Sequence, residues 1–213
     1  MKKLVLPLLL LLAFGMLLAV ESAPSAVVGY VKYDCVAGLN LVALPMATAW
    51  TNASELGDAY TGSFDAIFYW DFDAQTWFGA SDLGGFWDGD FEIASSNVLM
   101  LSSLATISVY SIGQLPASNA VYTLGSGLNT IMVPLNRNDL TLAGDLGTEL
   151  AVSDAVFYWD SAAQTFFGAS DLGGFWDGDF DVSIGMPLMV SAFDSTTWPS
   201  RSSIKTKSIN SRK

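Results

Sequence analysis

The sequence contains no histidine and a single cysteine. Without histidine, Ser-His-Asp and Cys-His nucleophiles and every His-ligated metal centre are excluded. The lone Cys35 cannot close an intramolecular disulfide, although an oxidising compartment would permit one. Positive charge is also scarce: nine Lys and Arg stand against 21 Asp and Glu, a formal net charge of −12. Apart from the two ends of the chain, the only strong cations are Lys32 and Arg137. Such a surface repels phosphate backbones, so nucleic acid is not an expected partner. Gly84-Gly85 is no phosphate loop, because neither GxxxxGK[ST] nor GxGxxG surrounds it. Paired carboxylates hydrolyse glycosides only when held about 5 to 9.5 Å apart across a cleft, a distance that no spacing in the sequence supplies. The expectation is a protein that is not an enzyme.

The chain begins MKKLVLPLLLLLAFGMLLAV and continues ESAPSA. Two lysines, a long apolar run and then small residues make a secretory signal peptide over residues 1–23, with the mature start between about Val20 and Val27. No later stretch is apolar for long enough to span a bilayer, so no membrane span is expected after cleavage; an uncleaved anchor is the alternative. At the other end RSSIKTKSINSRK, residues 201–213, is basic and lacks aromatics and any apolar period, and reads as a disordered tail.

Between these ends the sequence repeats itself. FGASDLGGFWDGDF occurs as Phe78–Phe91 and, unchanged, as Phe167–Phe180, an offset of 89 residues that also pairs the two GLN triplets at Gly38 and Gly127 and the two FYWD stretches at Phe68 and Phe157. A long period present only twice is a duplicated domain rather than a solenoid. The units run over residues 29–112 and 118–200 with a linker at 113–117, and GQLPASN, from Gly113 to Asn119, carries the Gly, Pro, Ser and Asn expected of a connection. From Gly38 to Ser63 only Gly38, Leu39, Asn40 and Pro45 match at this offset, a contrast that uniform drift does not produce.

Each unit reads as short strands. YVKYDCV, LNLVALP, AIFYWDF, TWFGAS, NVLMLSS and TISVYSI are rich in β-branched and aromatic residues and bounded by Gly, Pro, Asn and Asp. NASELGDAY is the one helical candidate, with Asn52 and Glu55 resembling a capping box; TLAGDLGTEL is its counterpart. The expected fold is mainly β: two similar small β-sandwich or partly open barrel units from a tandem duplication, each with at most a short helix. Cys35 falls opposite Leu124, as a small buried hydrophobe would.

GLNLVALP, then FYWD followed by Gln75-Thr76-Trp77, then GMPLMVSA and TTWP resemble a tandem repeat of secreted proteins from anaerobic bacteria. That repeat typically reads G-W-N-L-[VI]-S-[LI]-P, then Y-W-D, then G-x-x-Y-x-V. The resemblance covers nearly the whole mature chain and implies β modules of exported or surface-attached proteins, without an established activity. Leu39 and Leu128 stand where Trp is usual, and Ser96 and Asn97 replace the Gly-containing turn of Gly185, Met186 and Pro187.

The repeated fourteen residues are the place to look for function. Phe86 to Phe91 has the form of a two-residue hairpin in which Asp88-Gly89 supplies the positive φ of a type I′ turn. Trp87 then faces Asp90, and Phe86 faces Phe91; the same follows for Phe175 to Phe180. In the plainest reading this is a compact turn that admits few substitutes. A second is calcium, for which Asp82, Asp88 and Asp90, and Asp171, Asp177 and Asp179, offer carboxylate oxygens; no other cofactor is expected. A third is carbohydrate: Trp87 with Asp88 and Asp90, and Trp176 with Asp177 and Asp179, combine an apolar face with acceptors, and two copies provide bivalency. The chain is thus expected to be a secreted or cell-surface structural or binding module, with extracellular polysaccharide or surface proteins as partners.

Overall fold

The computed structural model describes residues 27–199. The segments read as a signal peptide and as a basic tail lie outside the described residues. Among those described, no helix is long and apolar enough to cross a membrane.

The fold is mainly β, in two similar units without a closed barrel. In repeat 1, β1 (Val28–Cys35) leads into β2 (Gly38–Ala43), then α1 (Ala53–Ala59), β3 (Phe64–Asp71), β4 (Thr76–Asp82), β5 (Trp87–Asp88), β6 (Val98–Ser103) and β7 (Ile107–Gln114). Repeat 2 follows the same course: β8 (Tyr122–Leu124), β9 (Gly127–Met132), α2 (Ala143–Leu150), β10 (Ser153–Asp160), β11 (Thr165–Asp171), β12 (Trp176–Asp177), β13 (Pro187–Ala192) and β14 (Thr196–Trp198). Each repeat builds a five-stranded antiparallel sheet, ordered β2-β6-β3-β4-β5 and β9-β13-β10-β11-β12, plus a two-stranded ribbon, β1-β7 or β8-β14. Strand β7 runs on to Gln114, so the connection begins later than its Gly and Pro content suggests.

One face of each sheet is covered by its helix and ribbon. In repeat 1, Cys35 and Val109 of the ribbon and Leu56 of the helix meet Val42, Ile67, Ala80, Leu99 and Leu101 of the sheet. Leu124, Leu146, Ile131, Val156, Ala169, Leu188 and Val190 do the same in repeat 2. Cys35 is therefore buried, as its pairing with Leu124 implies, and burial pushes its thiol up to about 11.

The opposite faces of the two sheets meet each other. Leu41, Ala43, Val98 and Met100 of repeat 1 pack with Met132, Trp159 and Phe166 of repeat 2. Polar contacts across this boundary come in matched pairs. The Trp70 indole N–H donates to the Leu128 carbonyl at 2.7 Å, and Trp159 donates to Leu39 at 2.8 Å. Gln75 takes the Leu128 amide on its Oε1 at 2.7 Å and donates to the same residue's carbonyl; Gln164 does both to Leu39. Tyr33 donates to the Gly185 carbonyl, and Tyr122 to the Ser96 carbonyl. All of these partners are related by the 89-residue offset, so the boundary is a pseudo-twofold interface in which each repeat carries both halves of every contact.

The GLN triplets follow from this geometry. Gly38 and Gly127 have φ of +104° and +102°, and a Cβ there would lie 2.7 and 2.5 Å from the Gln164 and Gln75 amides of the other repeat. Buried Asn40 pins the preceding turn by accepting from the Val36 amide and donating to the Val36 and Gly38 carbonyls; Asn129 repeats this on Gly125 and Gly127.

Candidate functional site

The hairpin of the repeated stretch closes four residues earlier than expected. Trp87 pairs with Asp82 and Asp88 with Ser81, so the turn is Leu83-Gly84-Gly85-Phe86, closed by the Leu83 amide on the Phe86 carbonyl at 2.8 Å. Trp87 does not face Asp90, nor Phe86 Phe91. Asp82 decides the matter: its Oδ1 accepts the Gly84 and Gly85 amides at 2.9 and 2.6 Å, and both glycines take positive φ, 87° and 95°. That local side-chain to backbone turn outcompetes Asp88-Gly89 as the reversal. In repeat 2, Trp176 pairs with Asp171, whose Oδ1 accepts the Gly174 amide at 2.6 Å.

Gly89 instead lets the chain pass close to the sheet. A Cβ at Gly89, with φ of +77°, would stand 2.7 Å from the Gly79 carbonyl oxygen. The chain then reaches the start of the helix, where Asp90 accepts the Ser54 amide at 2.9 Å and the Ser54 hydroxyl at 2.6 Å, and the Phe91 carbonyl accepts the Ala53 amide. Burial works against charge on Asp90, but the bonds from Ser54 and the Phe91 amide prevail and hold its carboxyl below the usual range. Asp179 likewise accepts the Gly144 amide at 2.8 Å.

The helix is thus capped by the repeated stretch rather than by its own Asn52, whose side chain makes no cap bond. Glu55 does reach back, as a capping box requires, but to the amide and hydroxyl of Thr51, which hold its carboxyl low. A helix of seven residues does not hold by itself, and this borrowed cap satisfies amides that would otherwise be open.

Trp87 completes the buckle. Its ring lies on Gly57 of α1, where a Cβ would come within 2.0 Å, and its N–H donates to Asp58 at 3.0 Å. Trp176 lies on Gly147, where a Cβ would come within 2.1 Å of the ring, and donates to the Thr148 hydroxyl at 3.0 Å. One face of each indole is therefore occupied by a helix. These pairs also explain the poor match between Gly38 and Ser63. Gly57 and Gly147 stand 90 residues apart, as do Leu56 and Leu146, so an extra residue before α2 shifts the helix one place out of register.

Of the six carboxylates offered for calcium, Asp82 and Asp171 close turns, Asp90 and Asp179 cap helices, and Asp88 and Asp177 lie exposed on the short strands β5 and β12. Among the described residues no three His, Cys, Asp or Glu side chains form a group able to hold a metal ion.

Three large apolar side chains of each copy point outward. Leu83 and Phe86 are each 66% exposed, and Leu172 and Phe175 are 67% and 66% exposed. Phe78 and Phe167, at 46% and 47%, stand beside Tyr69 and Tyr158. A Cβ on any of the four tip glycines would meet nothing within 4 Å, so both tips stand clear of the body. Sequence reasoning singled out Trp and Asp and passed over these Leu and Phe residues, although their identity in both copies was visible. No protein-family model, curated protein or solved structure matches the chain.

Proposed function

We propose that the chain is an exported, non-enzymatic tandem β-repeat protein that acts outside the cell or at its surface as a structural and binding module. The observation that carries this reading is the division of labour inside the repeated stretch. Asp82, Trp87, Gly89 and Asp90 are consumed by the scaffold, which accounts for their identity in both copies. Leu83 and Phe86 are not, yet they recur at equal exposure on turns held rigid by Asp82 and Asp171. Large apolar side chains displayed on a preorganised turn are the kind of anchor a partner surface buries, and rigidity lowers the entropy cost of burying them. Two such tips on one body gain from bivalency wherever a partner repeats.

The test replaces Leu83, Phe86, Leu172 and Phe175 together by Ser in the full chain, expressed in a secreting host. The parent chain is expected outside the cell, starting between about Val20 and Val27, and bound to the cell envelope or matrix. The variant is expected to be exported with unchanged Tm and to be lost from that fraction. Retention of the parent chain in the cytoplasm, or full attachment of the variant, contradicts the reading.

A further inference from the structure

The pseudo-twofold interface generates two grooves at its margins, and they have diverged. One, of 330 Å³, lies between Tyr69, Trp70, Phe91 and Glu92 of repeat 1 and Tyr122 and Thr123 of repeat 2. The other, of 200 Å³, contains the residues equivalent at the 89-residue offset: Tyr33 for Tyr122, Asp34 for Thr123, Leu41 for Thr130, Trp159 for Trp70 and Ser161 for Phe72. In the smaller groove the Lys32–Asp34 ion pair at 2.6 Å occupies the rim. In the larger one Phe72, 39% exposed, stands over Gly125, where a Cβ would come within 2.9 Å of its ring. The two equivalent positions therefore differ: one groove is larger and lined by Phe72, and the other is smaller, with Ser161 in its place and an ion pair at its rim.

We propose that the larger groove binds a neutral oligosaccharide, one per chain. Its lining offers aromatic rings for the C–H faces of a sugar: Phe72, and the neighbouring pair Tyr69 and Phe91, whose ring centroids lie 4.7 Å apart. Glu92, Thr123 and Thr130 line the same space and exchange hydrogen bonds with hydroxyl groups. Anionic ligands find no counter-charge. Of the two cations among the described residues, Lys32 is paired at the other groove, and Arg137 is buried between Asp139 and Glu149. The lining is mixed, with Glu92, Ser96, Asn97, Thr123 and Thr130 set among its aromatic rings, and a lipid chain would leave these polar groups without partners. A larger cleft of 630 Å³, beside the connection between the repeats, carries no aromatic and no titratable side chain and offers a sugar nothing to stack on.

This inference rests on the reading of the chain as an exported module, since that places it among extracellular glycans, but it uses a different surface from the tips. The test titrates the mature chain with hexasaccharides of β-1,4-glucose, β-1,4-N-acetylglucosamine, α-1,4-glucose and β-1,4-mannose by calorimetry, with tryptophan emission reporting on Trp70. Saturable binding of at least one at one site per chain is expected. Phe72→Ser, which copies the residue of the smaller groove, is expected to weaken it about tenfold, the equivalent of one good stacking contact, with unchanged Tm. Glu92→Gln, which keeps shape and removes charge, is expected to weaken it less. No saturable binding by any of the four sugars, a stoichiometry of two, or binding indifferent to both variants overturns the proposal. Export and the tip variants are scored separately, so such a result leaves the module reading standing.

Discussion

The Trp70 indole N–H reaches the Leu128 carbonyl at 2.7 Å, across the boundary between two repeats of one chain. Trp159 returns the bond to Leu39, and the glutamines five residues beyond each Trp fasten the same two backbones. Sheet face against sheet face, this boundary makes the duplicated protein the covalent equivalent of a twofold dimer. Its two apolar tips and its two unequal grooves are consequences of that arrangement.

The Trp87 ring on Gly57 predicts a coupling that opposes helix propensity. Ala for Gly inside a helix is ordinarily favourable by about 1 kcal/mol, but a Cβ at 2.0 Å from the indole forces the ring off the helix. Gly57→Ala is therefore expected to destabilise by about 1–3 kcal/mol, the usual cost of overpacking. In a Trp87→Leu background the same change should cost less or become stabilising. Urea denaturation of the four proteins of this cycle measures the coupling, and simple additivity would refute the contact.

Acid sensitivity follows from Asp90. Its carboxyl sits below the usual range in the folded protein, so its contribution is complete above the unfolded-state value, near 3.9, and is lost as pH falls through the lower folded value. Asn keeps one acceptor oxygen but carries no charge. Asp90→Asn should therefore lower the Tm near pH 7 by a few degrees and flatten its fall below about pH 4. A parallel fall in both proteins would show that the cap carries no charge-dependent energy.

Cys35 is expected to be inert. Burial raises its thiol to about 11 and closes access to it. At pH 8 only about one thousandth is thiolate. Labelling with a disulfide reagent should track urea unfolding, and rapid labelling of the native chain would contradict the packing of the ribbon over the sheet.

Much of this architecture was legible in the residues. Short β-rich runs bounded by Gly, Pro and Asp gave two strand-built units, and a lone cysteine opposite a leucine gave a buried position. The turn was misplaced because Asp88-Gly89 carries the stronger hairpin signature, whereas Asp82 acts through bonds to amides two and three residues ahead. The helix cap was hidden because its donor and acceptor, Ser54 and Asp90, are 36 residues apart. The interface was hidden for a similar reason: Trp70, Gln75 and Gly38 recur at the repeat offset, but nothing local distinguishes a tryptophan that fills a core from one that bonds the other repeat. The grooves depend on Phe72 and Ser161, which differ between the copies and so fell outside a search for identity.

The pseudo-twofold boundary is tested most directly by scanning calorimetry of the purified protein. With the sheets packed face to face and Trp70, Trp159, Gln75 and Gln164 bonded across, the repeats should melt as one unit, with equal calorimetric and van't Hoff enthalpies. Changing both Trp to Phe and both Gln to Ala should then split the transition. A parent chain whose calorimetric enthalpy is about twice the van't Hoff value would mean that the repeats unfold independently, and would contradict the account.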